Sequence, residues 1–501
     1  MTGISSIEDV GRSNRYYRWC LTEQYRPRRL CRPHALVRMW CPPLLALAMT
    51  LGGPTWADEP ASHQKLAFDI FKELVEINTV TARGDTAQAA EAMRGRLLTG
   101  GLPAGDVHVF LPAPRKGNLV ARLRGTGAQR PLLLLAHLDV VEARREDWSF
   151  DPFKLVEEGG YFYGRGTSDD KFMAAAFVTN LIRYQQENYK PERDIILALE
   201  TDEEILDRNV LGIQWLLKNH RDLIDAEFAL NEGGGVALRA GKPLRNSVQT
   251  SEKVSVGLRL EATDRGGHSS LPRKDNAIYR LAEGLVRLSK LQFPITLNET
   301  TRAFFMRMAD LEDEPTAAEM RSLTTAQASL EALSLVRLSA SPVYNAQMRT
   351  TCVATMLEGG HAANALPQVA RATINCRVMP GEPIAEVQAT LVRVLDDAQI
   401  TLTLLREPVL STPSALRPGV MQAIEKVTSE MWPGIPAIPT MSAGATDGSY
   451  LRNHGIPTFG TSGLAIEDVR AHGKDERVLV KSFLDGQEYL YRLVKMLAGG
   501  S

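Results

Sequence analysis

Cysteine, aromatic side chains and long apolar runs are all scarce in this sequence. Five cysteines occur in 501 residues, and Cys20, Cys31 and Cys41 lie in the first 57, so the remainder can close one disulfide at most, between Cys352 and Cys376. Aromatics make up only 6%, and there is no low-complexity tract or internal repeat. The formal net charge of −1 conceals an uneven distribution: residues 1–57 hold eight arginines against Glu8, Asp9 and Glu23, leaving 50 basic and 56 acidic residues for the rest. A mildly acidic body without a basic stripe argues against nucleic acid as a partner.

The apolar run Leu44 to Met49 is too short, and too interrupted by Pro42, Pro43 and Pro54, to span a bilayer. Preceded by Arg26, Arg28, Arg29, Arg32 and Arg38 and followed by Thr55-Trp56-Ala57, it reads as a secretory signal, with an uncleaved anchor as the alternative. The basic region is long for a signal, so Met39 is an alternative start. Residues 1–57 are therefore expected to be a leader, and the mature protein to be secreted or periplasmic with no stable membrane span. Cys352 and Cys376 lie twelve residues to either side of Asn364 in a turn-rich segment. Antiparallel strands about that turn would bring the thiols face to face; otherwise they are two small buried core residues.

With 44% hydrophobic residues the chain can build a large core, and its length favours two domains. Helical spacing from Leu66 to Leu74 and from Thr86 to Leu98 precedes short apolar strands at Asn118–Leu123 and Pro131–Ala136. Helix Lys171–Gln186, strand Asp194–Leu199, helix Val210–Leu217 and strand Glu227–Leu230 continue the alternation, which predicts an α/β, mostly parallel sheet covered on both faces. From Ser251 the texture changes. Val254–Leu260 alternates at period two, a helix follows over Ala277–Lys290, and a charged stretch, Asp310–Glu319, precedes further alternating strands. This reads as an α+β insert with one open sheet face. The expected division is 58–250 and 413–501 for a catalytic domain, with 251–412 inserted.

Groups able to bind metal stand where the strands end: His137 with Asp139 two residues on, Asp169, Glu203-Glu204, and Glu232 before three glycines. Each alone has a plainer reading, such as a hydrogen-bonded loop histidine, a helix N-cap at Asp169-Asp170 or a solvated helix start at Glu203. Together they fall where open α/β sheets collect their ligands. The segments His137-Leu138-Asp139, Gly164-Arg165-Gly166-Thr167-Ser168-Asp169-Asp170-Lys171, Thr201-Asp202-Glu203-Glu204, Asn231-Glu232-Gly233-Gly234 and Ala471-His472-Gly473 resemble those of the co-catalytic zinc peptidases of clan MH, over roughly Ser62 to Leu497. Asp139-Val140-Val141 with Trp148 and Pro152-Phe153 is most similar to the carboxypeptidase S branch.

The resemblance implies a zinc-peptidase catalytic domain with an inserted ferredoxin-like lid and five metal ligands: His137, Asp169, Glu204, Glu232 and His472. It implies that Asp169 bridges two metals and that the Asp169–Asp170 peptide is cis. Two histidines and three carboxylates suit two Zn2+, with Co2+ or Mn2+ as substitutes. Glu203 is then the catalytic acid/base, and Asp139 orients His137 through its other ring nitrogen. His268 in the insert matches a family histidine that faces the developing oxyanion, often across a dimer interface; Asn364 and Arg377 match the substrate-binding pair. The chain departs from the family at Phe172, Ile205-Leu206-Asp207 and Asn375, positions expected to border the substrate pocket. The implied function is hydrolysis of an amide bond next to a free carboxylate, as by a carboxypeptidase acting on small peptides. An N-acyl amino acid amidohydrolase and a catalytically silent binding protein are the alternatives. A homodimer through the inserted domain is expected unless the charged stretch Asp310–Glu319 covers its edge.

Overall fold

The computed structural model describes residues 62–205, 211–325, 335–466, 468 and 470–500. The leader, and Leu206 and Asp207 of the departing segment, lie outside the described residues. A ten-stranded sheet forms the larger layer, in the order Val107–Ala113, Lys116–Leu123, Ile195–Glu200, Leu132–His137, Phe228–Asn231, Thr458–Gly460, Lys242–Glu252, Gly235–Arg239 and Ala465–Ile466; Ala437–Ser442 pairs off this path with Lys242–Glu252. Its centre is parallel: Leu132–His137 lies between Ile195–Glu200 and Phe228–Asn231, both running in its own direction. All six residues of Leu132–His137 are buried, as a strand covered on both faces requires.

Helices Ser62–Glu76, Lys171–Gln186 and Val480–Ala498 pack over one face through Phe71, Phe172 and Phe483, which with Phe162 of the short strand Tyr161–Tyr163 form a set of tilted and edge-on rings. On the other face a smaller core gathers Leu133, Leu135, Ile196 and Ala198 against Ile213, Leu216 and Leu451. Phe172, expected at the pocket border, is instead fully buried in the first of these cores. A Cβ on Gly486 would come 2.8 Å from Phe172 Cζ, so the glycine in the last helix makes room for the ring.

A second sheet of four antiparallel strands runs Thr351–Gly359, Val369–Val378, Val254–Thr263, Ile400–Leu404. Helices Ala277–Leu288 and Ile384–Leu395 cover one face. Chain order and strand order together are those of a βαββαβ ferredoxin-like unit. Cys352 and Cys376 are paired neighbours on adjacent strands and form a disulfide.

The segment between helix Ala277–Leu288 and strand Thr351–Gly359 makes a helical excursion, Glu299–Met308, Glu314–Thr325, Val336–Ala340 and Pro342–Met348. Its apolar core includes Ile438 of the large sheet, and Arg307 Nη1 donates to Ala437 O at 2.6 Å. The charged stretch therefore covers the large sheet rather than the four-stranded one. Strand Thr351–Gly359 remains at an edge with Val353, Met356 and Leu357 exposed.

The ring cluster carries a stability prediction. Phe172→Ala is expected to lower the unfolding free energy by about 3–5 kcal/mol, the usual range for emptying a packed aromatic site. Urea unfolding of both proteins measures it, and a loss below about 1 kcal/mol would show that Phe172 is not a core residue.

Candidate metal centre

Three neighbouring parallel strands end on the same edge and deliver the site. His137 closes its strand and is paired in register with Glu200, so the turn after Glu200 places Glu203 and Glu204 beside it. Glu232 follows Asn231 on the other side. The backbone then passes so tightly that a Cβ on Gly234 would lie 2.3 Å from Ser247 O and 2.5 Å from Gly460 O, at φ +73°. Glycine alone fits there. Asp169 comes from the loop before helix Lys171–Gln186, after which the Asp169–Asp170 peptide is cis.

Asp169 is the hub. Its Oδ1 lies 3.0 Å from His137 Nε2 and its Oδ2 lies 3.2 Å from His472 Nε2. His472 Nε2 also approaches Glu204 Oε1 at 2.9 Å, and His137 Nε2 approaches Glu232 Oε2 at 4.0 Å. Each imidazole is thus matched with one further carboxylate, and Asp169 stands between the two pairs. Candidate ligand atoms of His137, Glu203 and Glu232 lie within 4.8 Å of one another, as do those of His137, Asp169 and Glu204.

Charge dominates the cluster. Among the described residues no lysine or arginine forms an ion pair with Asp169, Glu203, Glu204 or Glu232. Burial, then the repulsion of Glu204, Asp139 and Asp169, pushes the Glu203 carboxyl up to about 8 against the pull of His137. Burial followed by Glu203 and Asp169 likewise raises Glu232. Burial would depress His137, but Asp169, Glu232 and Glu203 raise it well above an ordinary histidine; the Asp169 and Glu204 hydrogen bonds take His472 up to about 10. Glu203 and Glu232 are raised by negative charge that a cation in their midst would offset, and the same charge raises both imidazoles. Two nitrogen and three oxygen donors converging on one volume fit divalent metal.

Asp139 does something other than the expected. It is the backbone carbonyl of Asp139 that meets His137 Nδ1, at 3.0 Å, while the carboxylate stays 3.8 Å away. That carboxylate accepts from Glu203 N at 3.1 Å and Glu204 N at 3.0 Å, so it fixes the turn that presents both glutamates. Asp202 is engaged elsewhere, in an ion pair with Lys116 at 2.5 Å.

A cavity of about 350 Å3 opens beside Glu203, Glu204 and His472, and Arg377 stands in its wall with Lys253, Asp447 and Ile205. Arg377 Nε donates to Asn375 Oδ1 at 3.1 Å. A second cavity of about 180 Å3 adjoins Asp169 and Glu232 and is walled by Met173, Leu464, Ala465, Val478 and Leu479. His268 and Asn364 are not brought to either cavity. They sit on an exposed two-stranded ribbon, Gly267–His268 against Ala365–Leu366, where Ser269 N donates to Asn364 O at 3.0 Å. Sequence reasoning missed Lys253, whose Nζ donates to Arg349 O at 2.6 Å, and Glu476, which holds the Asp169 loop. No spacing marks either one.

Histidines and carboxylates gathered at the carboxyl ends of parallel strands define a metal-dependent hydrolase site on an α/β sheet. The chain belongs to the peptidase family M20/M25/M40, whose family model matches residues 133–496. It is 31% identical over 359 residues to the N-fatty-acyl-amino acid synthase/hydrolase PM20D1 of Xenopus tropicalis, covering 70% of this chain and 69% of that protein. It is 29% identical over 377 residues to the probable carboxypeptidase S-like 2 of Dictyostelium discoideum, covering 73% and 71%. Among solved structures, an M20 family metallo-carboxypeptidase from Sulfolobus solfataricus superposes with a TM-score of 0.63 at 18% identity, over 86% of this chain and 98% of that one.

Proposed function

We propose that this protein is a two-zinc amide hydrolase that releases a residue bearing a free α-carboxylate from a small peptide, in the manner of a carboxypeptidase. The observation that carries the reading is Arg377. It shares one cavity with Glu203, Glu204 and His472, burial works against its charge, and its partner Asn375 is neutral. A half-buried guanidinium with no carboxylate partner among the described residues suits the carboxylate of a substrate.

The proposed ligands divide into His137 with Glu232, His472 with Glu204, and Asp169 between them, a borderline nitrogen and oxygen set that suits zinc. When bound, such a pair supplies Lewis acidity and an acidified water. Arg377 then holds the substrate carboxylate and so sets which amide bond lies over the site. Glu203, presented by the Asp139 clamp, takes the proton from the attacking water and returns it to the leaving nitrogen as the C–N bond breaks.

One observation favours an N-acyl amino acid as the substrate instead of a peptide. The cavity on the Asp169 and Glu232 side is largely apolar, which suits a fatty or aromatic acyl group better than an α-ammonium. The name of the Xenopus relative points the same way.

The exposed edge Thr351–Gly359, with Ile278, Tyr279 and Val286 exposed on the adjoining helix, supports a homodimer through the four-stranded sheet, which would also give His268 a neighbour. Sedimentation showing only monomer at working concentration would overturn it. The Cys352–Cys376 disulfide supports an oxidising compartment, in line with an exported protein.

Two kinetic outcomes test the chemistry. Glu203→Gln is expected to keep its metal while losing at least about 10²-fold in kcat, the scale of a positioned acid/base; near-normal turnover would remove Glu203 from that role. Arg377→Lys is expected to lower kcat/KM by more than about tenfold, as for a lost charge-assisted pair of roughly 1.5–3 kcal/mol. The unaltered enzyme should cleave substrates with a free C-terminal carboxylate and spare their amides. Equal kcat/KM on matched acid and amide substrates sinks the carboxylate-directed reading.

A further inference from the structure

We propose that Glu476 is a positioning residue that clasps the loop ending in Asp169 to the loop carrying His472, and so sets the spacing of two ligands assigned to one metal. The inference rests on the two-metal reading above.

Glu476 is fully buried and every contact of its carboxylate is accounted for. Oε1 accepts from Ser168 N at 2.8 Å, Ser168 Oγ at 2.9 Å and Asp169 N at 3.2 Å. Oε2 accepts from Gly166 N at 3.0 Å and Arg165 Nη1 at 2.7 Å. The second terminal nitrogen of Arg165 donates to Gly473 O at 3.2 Å, returning to the residue next to His472. One step earlier, Asp475 accepts from Ser149 N and Ser149 Oγ, both at 2.8 Å.

The His472 loop needs such a fixture. His472 and Asp475 adopt left-handed backbone at φ +63° and +53°, conformations that side-chain-bearing residues resist. The His472 side chain is 54% exposed, so packing does not hold it either. Its contacts with Asp169 and Glu204 use the same atoms that would bind metal, and cannot also fix the loop once metal is present. What remains is the clasp. His137 stands on a strand end with Nδ1 against the Asp139 carbonyl and does not depend on Glu476.

Asp169 is shared by both proposed metal positions whereas His472 belongs to one, so loss of the clasp weakens the His472 position more than the His137 position, while a purely structural role for Glu476 weakens both alike. The experiment compares the unaltered protein with Glu476→Gln, which puts an amide N–H2 against backbone donors. Metal per chain is measured by elemental analysis after dialysis against graded chelator, and hydrogen exchange is followed over residues 164–169 and 470–477. Expected are two tightly held zinc ions in the unaltered protein and one in the variant. The second should be weakened about tenfold or more, as the loss of a charge-assisted contact implies, and exchange should be faster in both loops. Excess zinc should restore most of kcat. Ser168→Ala, which removes a single donor and leaves the core alone, should weaken the same ion by a smaller factor, and it decides the matter if Glu476→Gln does not fold. Both ions held as tightly as before, or both weakened by the same factor, overturns the clasp. Fewer than two ions in the unaltered protein overturns the two-metal reading instead, and the clasp is then judged by exchange alone: unchanged protection in both loops refutes it.

Discussion

Three carboxylates and two imidazoles packed around Asp169 are the constraint on which the rest of this structure turns. Two unit charges 4 Å apart interact by about 4 kcal/mol at an effective dielectric of 20, so uncompensated repulsion among Asp169, Glu203, Glu204 and Glu232 would work against a folded site. The nearby cations do not relieve it. Lys171 is buried with its Nζ on Ile77 O, and burial holds it near neutrality, at about 7; Arg377 stands in the wall of the neighbouring cavity. The compensation comes from a donor arrangement that accepts divalent metal, and from a frame stiff enough to hold like charges together beforehand. Three adjacent strand ends, the Asp139 carboxylate on two backbone N–H groups and the buried Glu476 carboxylate on three more make up that frame.

How much of this could be read from the sequence depends on how far apart the interacting residues are. The parallel sheet was legible because each strand announces itself within six or seven residues, and the residues that end those strands follow directly: His137 after Leu132–Leu135, Glu232 after Phe228–Leu230. His472 carries no such local mark and came through resemblance alone. Glu476 escaped notice because its partners Arg165 to Asp169 lie more than 300 positions earlier, and a lone Glu in a loop looks like a solvated charge. Phe172 misled for the opposite reason: beside Asp169 in sequence, it faces away from the site because Gly486 leaves it a place in the core.

The helical excursion shows the same limit at the scale of elements. Asp310–Glu319 reads as a polar cover for the nearest sheet edge, but helices Glu299–Met308 and Glu314–Thr325 also carry Phe304, Phe305, Met308 and Met320, too much apolar surface to lie on a strand edge. They bury it against Ile438 of the large sheet, and Arg307 and Gln347 tie the excursion there through Ala437 O and Met441 O. The insert is therefore anchored to the layer that carries the proposed metal ligands. Thr351–Gly359 keeps an unpaired edge with apolar side chains, a feature that isolated proteins usually guard with charge or cover with a helix.

The two cavities flanking the cluster differ in a way that gives the proposed reaction a direction. On the Glu203 and His472 side, Arg377 and Lys253 offer positive charge, though burial draws the Lys253 ammonium down to about 8 with Glu382 opposing and Arg377 adding to the fall. On the Asp169 and Glu232 side Met173, Leu464, Ala465, Val478 and Leu479 supply an apolar part of a wall they share with Asp468, Arg470 and Arg477. The amphipathic substrate proposed above would seat its carboxylate with Arg377 and its acyl end against these apolar side chains, with the amide between them. Under that reading the Arg377 contact orients the substrate before any proton moves, and Glu203, as proposed, acts on the one bond so presented.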